Sequence, residues 1–434
     1  MYIDKVTLRD IKGFRELEFN LARNDGSYAG WTVFTGDNGA GKSTLLKAIA
    51  IALTGRDVAR SLQPSFHRWV REGASKGSIE LTLFPEKEVD EYLSKGGTSY
   101  SKFQAEIHLA NMGNGDALVD DESAAVKKTA SKKATSAQRG PWSGQAKGWF
   151  SCGYGPFRRV FGASQEATRL MVSPTTERYV TMFHEAASLF EVDQWLRALN
   201  HKKLEKKRLE TELLDLILEV LRDDLMPNEI TIDRVDSDGL WLKDRNGLEL
   251  AWTEMSDGYR AALALLADIL RHLVTTYGFD GLTKRDASGK LQIVRSGVVM
   301  IDEIDAHLHP EWQREIGFWL VKHFPRIQFL VTTHSPIICQ AADTNGLFVL
   351  PEPGSQNLPR ALTHEEYNKV ISSRPDTILL TDAFGLTNTR SQRAVEGRAE
   401  YSKLKAKQKA GATLSKLEQS KIQQLQLFAL NAED

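Results

Sequence analysis

Nine consecutive residues, Gly36-Asp37-Asn38-Gly39-Ala40-Gly41-Lys42-Ser43-Thr44, have the types and spacing needed to hold phosphates. They form Gly-x-x-x-x-Gly-Lys-Ser, placed between an apolar strand pattern and a helix pattern, which is the context of a P-loop. Glycines let backbone N–H groups turn inward onto phosphate oxygens, and the helix N-terminus adds a favourable partial charge. The expected ligand is ATP, contacted by Asn38, Gly39, Gly41, Lys42, Ser43 and Thr44, with Lys42 on the β- and γ-phosphates and Ser43 on Mg²⁺. A second run, Val298-Val299-Met300-Ile301-Asp302-Glu303, is an apolar strand ending in two acids. Beside a P-loop, Asp302 is expected to hold Mg²⁺ and Glu303 to orient and deprotonate the attacking water. A third, Ile327–Val331, delivers Thr332-Thr333-His334-Ser335-Pro336. His334 then falls at the C-terminal end of a buried strand, where α/β sheets bind ligands, and is expected at the γ-phosphate.

Those groups need a scaffold. Alternation and β-branched content predict strands over Ile3–Leu8, Leu17–Leu21, Trp31–Thr35, Ser78–Phe84 and Phe103–Leu109, and a helix from Lys42 to about Leu53. Residues 112–148 turn Gly-, Ala-, Ser-, Thr- and Lys-rich, with Lys127, Lys128, Lys132, Lys133, Arg139 and Lys147, and read as an exposed insertion. Ser188–Leu225 reads as helical, with Leu209, Leu213, Leu216 and Val220 in one stripe and a basic cluster over Lys202–Arg208. A hairpin over Ile230–Leu242, a long helix from about Asp257 to Thr275 and a polar insertion at 278–290 follow. From Ser391 the pattern is two helices around Ala410–Gly411, the second with a Ser415/Glu418 capping box. The expected domains are 1–187, 188–255, 256–350 and 351–434.

The 434 residues include 41% apolar and 26% charged ones, enough for a packed core. A net charge of −1 excludes an overall basic nucleic-acid coat, although a local basic patch is compatible with it. Cys152 and Cys339 form no Cys-x-x-Cys pair, and no further ligands complete a metal set with His334, so both are expected to pack in a core in a reducing compartment. There is no apolar leader and no apolar run of about 18 residues, so a cytoplasmic chain without membrane spans is expected.

The P-loop, then Met255-Ser256-Asp257-Gly258-Tyr259-Arg260, then Val298–Glu303, then His334, in that order, resemble the ABC-type ATPases. Ser256-Asp257-Gly258 is similar to the family's signature turn, with Asp257 and Tyr259 as departures. The resemblance implies a P-loop NTPase fold of the α/β class: a mixed central sheet, an antiparallel β portion, a helical lobe carrying Ser256 and a helical C-terminal extension. It also implies that two heads sandwich two ATP molecules, with Ser256 and Gly258 reading the γ-phosphate bound by the partner and Asp305 and His307 at the seam. Lys12-Gly13-Phe14-Arg15 resembles the segment approaching the nucleotide, with Phe14 and Arg15 as contacts. Gly153-Tyr154-Gly155-Pro156-Phe157-Arg158 sits where the family's Q-loop lies but carries no glutamine, which puts a metal contact from it in doubt.

Only about a hundred residues separate Gly155 from Ser256, which excludes the long coils of SMC-type chromosome proteins. No strand-borne Asp-x-Asp follows His334, so the nuclease domain of OLD-type proteins is not expected. The remaining resemblance, carried by Asp302–Pro310 and Thr333–Pro336, is to compact RecF- and OLD-like heads of bacterial anti-phage systems of the Septu and PARIS type. It implies an ATP-hydrolysing chain that assembles with itself and controls a separate nuclease subunit. The cluster at Lys202–Arg208 keeps open a RecF-like clamp that closes on DNA, and a non-hydrolysing scaffold is the third reading. The C-terminal helix pair is expected either to dock a partner or to pack on the core.

Overall fold

Every second residue is apolar along the early strands, so they bury one face. The computed structural model describes all residues except 94–99, 114, 120–134, 161, 163–172, 224, 227–228, 353, 356 and 431–434. Strands are numbered in chain order. An antiparallel sheet is built from β1 (Tyr2–Ile11), β2 (Phe14–Asn20), β4 (Lys76–Phe84), β5 (Phe103–Asn111) and β6 (Asp116–Val119), in the order β2-β1-β4-β5-β6. Ile79, Leu81 and Leu83 pair in register with Ile107, Ala105 and Phe103, and all but the partly buried Phe103 are buried.

A second sheet is made of β3 (Gly30–Thr35), β7 (Ser151–Tyr154), β13 (Gly297–Ile301), β14 (Ile327–Thr332), β15 (Leu347–Val349) and β16 (Arg360–Ala361). Its order is β16-β15-β3-β14-β13-β7, parallel throughout except for edge strand β16. β3, β13 and β14 are buried along their whole length, as their continuous apolar runs require. The helix Lys42–Leu62 packs against strands of both sheets, which is why Leu45, Leu46 and Ala48–Leu53 are all buried. The first helical segment ends at Gly55, which takes φ 78°, close to the expected end near Leu53, and a second segment follows this kink to Leu62. Trp142 packs on Gly55 and donates its indole N–H to Ala52 O at 2.8 Å, so this part of the expected insertion is anchored. Lys127, Lys128, Lys132 and Lys133 lie outside the described residues.

The stretch read as one helix from Ser188 to Leu225 is two, Phe190–Leu204 and Arg208–Arg222, broken where Lys206 takes φ 60°. Leu209 then falls in the first turn of the second helix and is exposed, while Leu213, Leu216 and Val220 are buried. β8 (Thr231–Asp236), β9 (Gly239–Lys243) and β10 (Glu249–Ala251) form a small antiparallel sheet ahead of the helix Asp257–Tyr277. The 278–290 segment is not merely polar loop: β11 (Thr283–Arg285) pairs with β12 (Leu291–Ile293). The chain divides into two compact units, Met1–Ser373 and Arg374–Asp434. Residues 351–373 thus belong to the larger unit. In the smaller, Gln392–Lys409 and Lys416–Leu430 form an antiparallel pair around Leu404, Leu414 and Ile422, clasped by Lys407–Glu418 and Lys421–Glu400 ion pairs. Glu418 caps Ser415 N–H as expected.

Candidate functional site

β3 and β13 flank β14 in a parallel sheet, so the segments leaving all three emerge at one edge. β3 delivers Gly36–Thr44, β13 delivers Asp302 and Glu303, and β14 delivers Thr332–Ser335. The buried Lys42 ammonium donates to the carbonyl oxygens of Gly36 at 2.8 Å and Asp37 at 3.0 Å. Burial lowers its pKa, opposed by Glu303, Asp302, Asp37 and Asp305, which places the lysine within the field of the acidic strand end. Gly41 caps the helix at φ 93°, and a Cβ there would lie 2.6 Å from the Phe14 ring. Phe14 is therefore the floor under the start of the phosphate loop. Ser43 and Thr44 are half-buried, and Asn38 and Gly39 are exposed.

Asp302 is buried, and its Oδ1 accepts the Thr332 hydroxyl at 2.5 Å. The same hydroxyl oxygen accepts Glu303 N–H at 2.8 Å, so one side chain of β14 ties both acids. Thr333 donates to Asp305 Oδ1 at 2.5 Å and accepts Ser335 N–H at 2.9 Å. Glu303 (φ 46°) and His307 (φ 67°) take left-handed backbone, so the chain leaves β13 in a tight, irregular turn. His334 is exposed at the end of β14. Thr332 and Thr333 lay within the sequence pattern without a role. The signal was a threonine pair at the end of an all-apolar buried strand, which must find hydrogen-bond partners.

Ser256 precedes the helix Asp257–Tyr277, is exposed, and makes no side-chain capping bond. Gly258 packs on the His307 carbonyl, where a Cβ would sit 2.1 Å from the oxygen, so the signature turn and the turn after β13 touch within one chain. The helix is fixed by a buried network: Tyr154 donates to Asp268 at 3.0 Å, and Asp268 pairs with Arg271 at 2.8 Å and His272 at 3.2 Å. Burial pushes the Asp268 carboxyl up, but His272 and Arg271 outweigh it and hold it well below the usual range.

Beside the phosphate loop lies a groove of about 790 Å³. It is lined by Lys12, Phe14, Arg15 and Arg71 and by residues between Pro351 and Pro359. The latter segment has the composition of a linker, and only the tertiary structure makes it a wall. Lys12 lies over the Trp69 ring at 4.7 Å. Cys152 and Cys339 are free and buried, with burial raising both thiols. Among the described residues no three His, Cys, Asp or Glu side chains cluster as a metal cage.

Residues 31–340 match the protein-family model described as "AAA domain, putative AbiEii toxin, Type IV TA system". The chain is 26% identical over 344 residues to "Septu protein PtuA" of Bacillus mycoides (strain KBAB4), covering 77% of this chain and 38% of that protein. It is 38% identical over 119 residues to "Retron Ec83 probable ATPase" of Escherichia coli, covering 27% of this chain and 20% of that protein. The matched chain thus spans less than half the length of these curated relatives. Among solved structures, the "SMC head domain from Thermotoga maritima" aligns with 13% identity and a TM-score of 0.40, covering 84% of this chain and all of that one.

Proposed function

We propose, from the premise that the chain belongs to the family described as "AAA domain, putative AbiEii toxin, Type IV TA system", that it is the ATP-hydrolysing subunit of a bacterial anti-phage defence complex. The observation that carries this reading is the convergence of the Gly36–Thr44 loop, the Asp302–Glu303 strand end and Thr332–His334 at one sheet edge. The likeness to a Septu protein and a retron ATPase supports the defence setting.

In this reading Gly39, Gly41, Lys42 and Thr44 bind the phosphates, and Phe14 and Arg15 line the path to the rest of the nucleotide. Glu303 takes a proton from a water attacking the γ-phosphorus, the bond to the bridging oxygen breaks, and ADP leaves. His334 stands at the γ-phosphate side of the edge. Asp302 and Ser43 would hold a Mg²⁺ ion, which keeps several waters and needs only one or two protein oxygens. That ion would neutralise phosphate charge. Ser256 and Gly258, together with Asp305, form the face offered to the nucleotide of a second copy, and the hydroxyl of Ser256, which makes no capping bond, supports that role. A separate nuclease subunit completes the assembly.

The DNA-clamp alternative draws on Lys202–Arg208. Lys202, Lys203 and Arg208 pair with Glu210, Asp215 and Glu212, which reduces the net positive charge this turn offers to phosphates. The test is phosphate release and mass photometry on wild type and Glu303→Gln, with ATP, after expression with the neighbouring genes. The expected result is hydrolysis in wild type only, ATP-dependent self-association in both, and a co-purifying nuclease. Hydrolysis unaffected by the substitution, or a chain that never self-associates, sinks the reading. A dimer that carries duplex DNA and no protein partner favours the clamp.

A further inference from the structure

The turn after β7, in the segment that resembles the family's Q-loop but has no glutamine, carries Arg158. Arg158 is 5% exposed, and its guanidinium fans across the turn that follows β13. Nη1 donates to Gly155 O at 3.1 Å and Asp302 O at 2.8 Å. Nη2 faces Glu303 O at 3.1 Å, Ile304 O at 3.4 Å and Ala306 O at 3.4 Å. Four of these five carbonyls belong to the acidic turn itself. That turn contains two left-handed residues, Glu303 and His307. Within it Glu303 O accepts Ala306 N–H at 2.9 Å and Asp305 O accepts Leu308 N–H at 3.1 Å, and Arg158 supplies donors to the carbonyls of Asp302, Ile304 and Ala306 as well as a second one to Glu303. Its side chains include the carboxylates of Asp302, Glu303 and Asp305, all within the electrostatic reach of Arg158.

We propose that Arg158 is the positioning residue that fixes the turn after β13, and thereby aims the Glu303 carboxylate at the γ-phosphate. A guanidinium suits this task because it is planar, permanently charged and carries donors in a fixed fork; one lysine ammonium cannot span the same set of oxygens. In this role Arg158 acts through Glu303 and not on the substrate. Its effect is on where Glu303 sits, so it acts on turnover more than on nucleotide binding, which depends on the separate loop after β3. This inference rests on the reading that Glu303 activates water. A cavity of about 440 Å³ is lined by Arg158, Arg260 and His307 among others. A truncated side chain there leaves a hole that a small cation can enter.

The test uses the full chain as wild type, Arg158→Lys, Arg158→Ala and Glu303→Gln. ATP affinity and single-turnover hydrolysis are measured separately, with and without added guanidinium chloride at non-denaturing concentration. Arg158→Ala is expected to cut the hydrolysis rate on the order of a hundredfold and Arg158→Lys about tenfold, with ATP affinity within about threefold of wild type. Guanidinium is expected to restore part of the rate in Arg158→Ala and none in Glu303→Gln. Rates within about twofold of wild type in both arginine variants, with Glu303→Gln inactive, overturn the positioning role and leave the hydrolysis reading standing. A parallel loss of ATP affinity without guanidinium rescue also overturns it, in favour of a purely structural arginine. Hydrolysis by Glu303→Gln at the wild-type rate removes the underlying reading instead. Should Arg158→Ala fail to fold, Arg158→Lys decides by the same comparison of rate and affinity.

Discussion

Two charged regions of this chain make opposite use of their charges. At the edge of the parallel sheet, Lys42, Asp302 and Arg158 are buried and held by loop carbonyls, a threonine hydroxyl and five carbonyls of two turns. On the helical arm formed by Phe190–Leu204 and Arg208–Arg222, the exposed Arg208 and the half-buried Lys203 pair with Glu212 and Asp215. Sequence density of charge was greater on the arm, yet the edge is where charges are desolvated and directed. Interactions there are stronger and losing a partner costs more, whereas exposed pairs are screened and add little.

That contrast can be broken by substitution. The largest expected effect is at Lys42→Ala, which removes a charged donor from the phosphate site: ATP affinity falls about a hundredfold or more, read by titration calorimetry. An unchanged affinity would mean that the loop does not hold ATP. Next is Gly41→Ala. At φ 93° a Cβ is strained and meets the Phe14 ring, so stability drops by about 1–3 kcal/mol and nucleotide affinity with it, measured by urea unfolding and by titration. Thr332→Val removes the hydroxyl shared by Asp302 and Glu303 N–H. About 1–3 kcal/mol of stability is lost, and hydrolysis slows more than binding weakens.

A smaller effect concerns pH at the base of the signature helix. Burial first, and then its hydrogen-bonded neighbour Glu177, raise Glu191 from the ordinary 4.5 to about 8. The folded chain keeps this proton where the unfolded chain has released it. The stabilisation is therefore complete below pH 4.5 and is lost as pH rises to about 8. Glu191→Gln should flatten the decline in unfolding midpoint across that window; an unaltered slope would remove Glu191 as its source. The smallest effect is on the arm: Lys203→Ala with Arg208→Ala should leave both the urea midpoint and turnover unchanged. A clear loss of stability or activity there would erase the distinction between the two regions.

Much of the site was legible because its motifs are short and local. The Gly36–Thr44 spacing and the acids closing an apolar strand name Lys42, Ser43, Asp302 and Glu303 without any distance. The strand assignments followed for the same reason, since alternation and continuous apolar runs report how many faces are covered. Helix ends were harder: a second helical segment follows the kink at Gly55, and Lys206 breaks an apparently continuous helix because a left-handed residue leaves no trace in apolar spacing.

The sequence by itself determined which residues are the candidates for phosphate and acid chemistry, because side-chain type and spacing within a few positions mark them. Only the tertiary structure decided that Thr332 bridges the two acids, that residues near Pro351–Pro359 wall the groove, and that Arg158 grips a turn 144 to 148 positions away in the chain. These are pairings between separate strands. Which strand lies beside which follows from burying all of the apolar surface at once, a condition on the whole chain that no local pattern states.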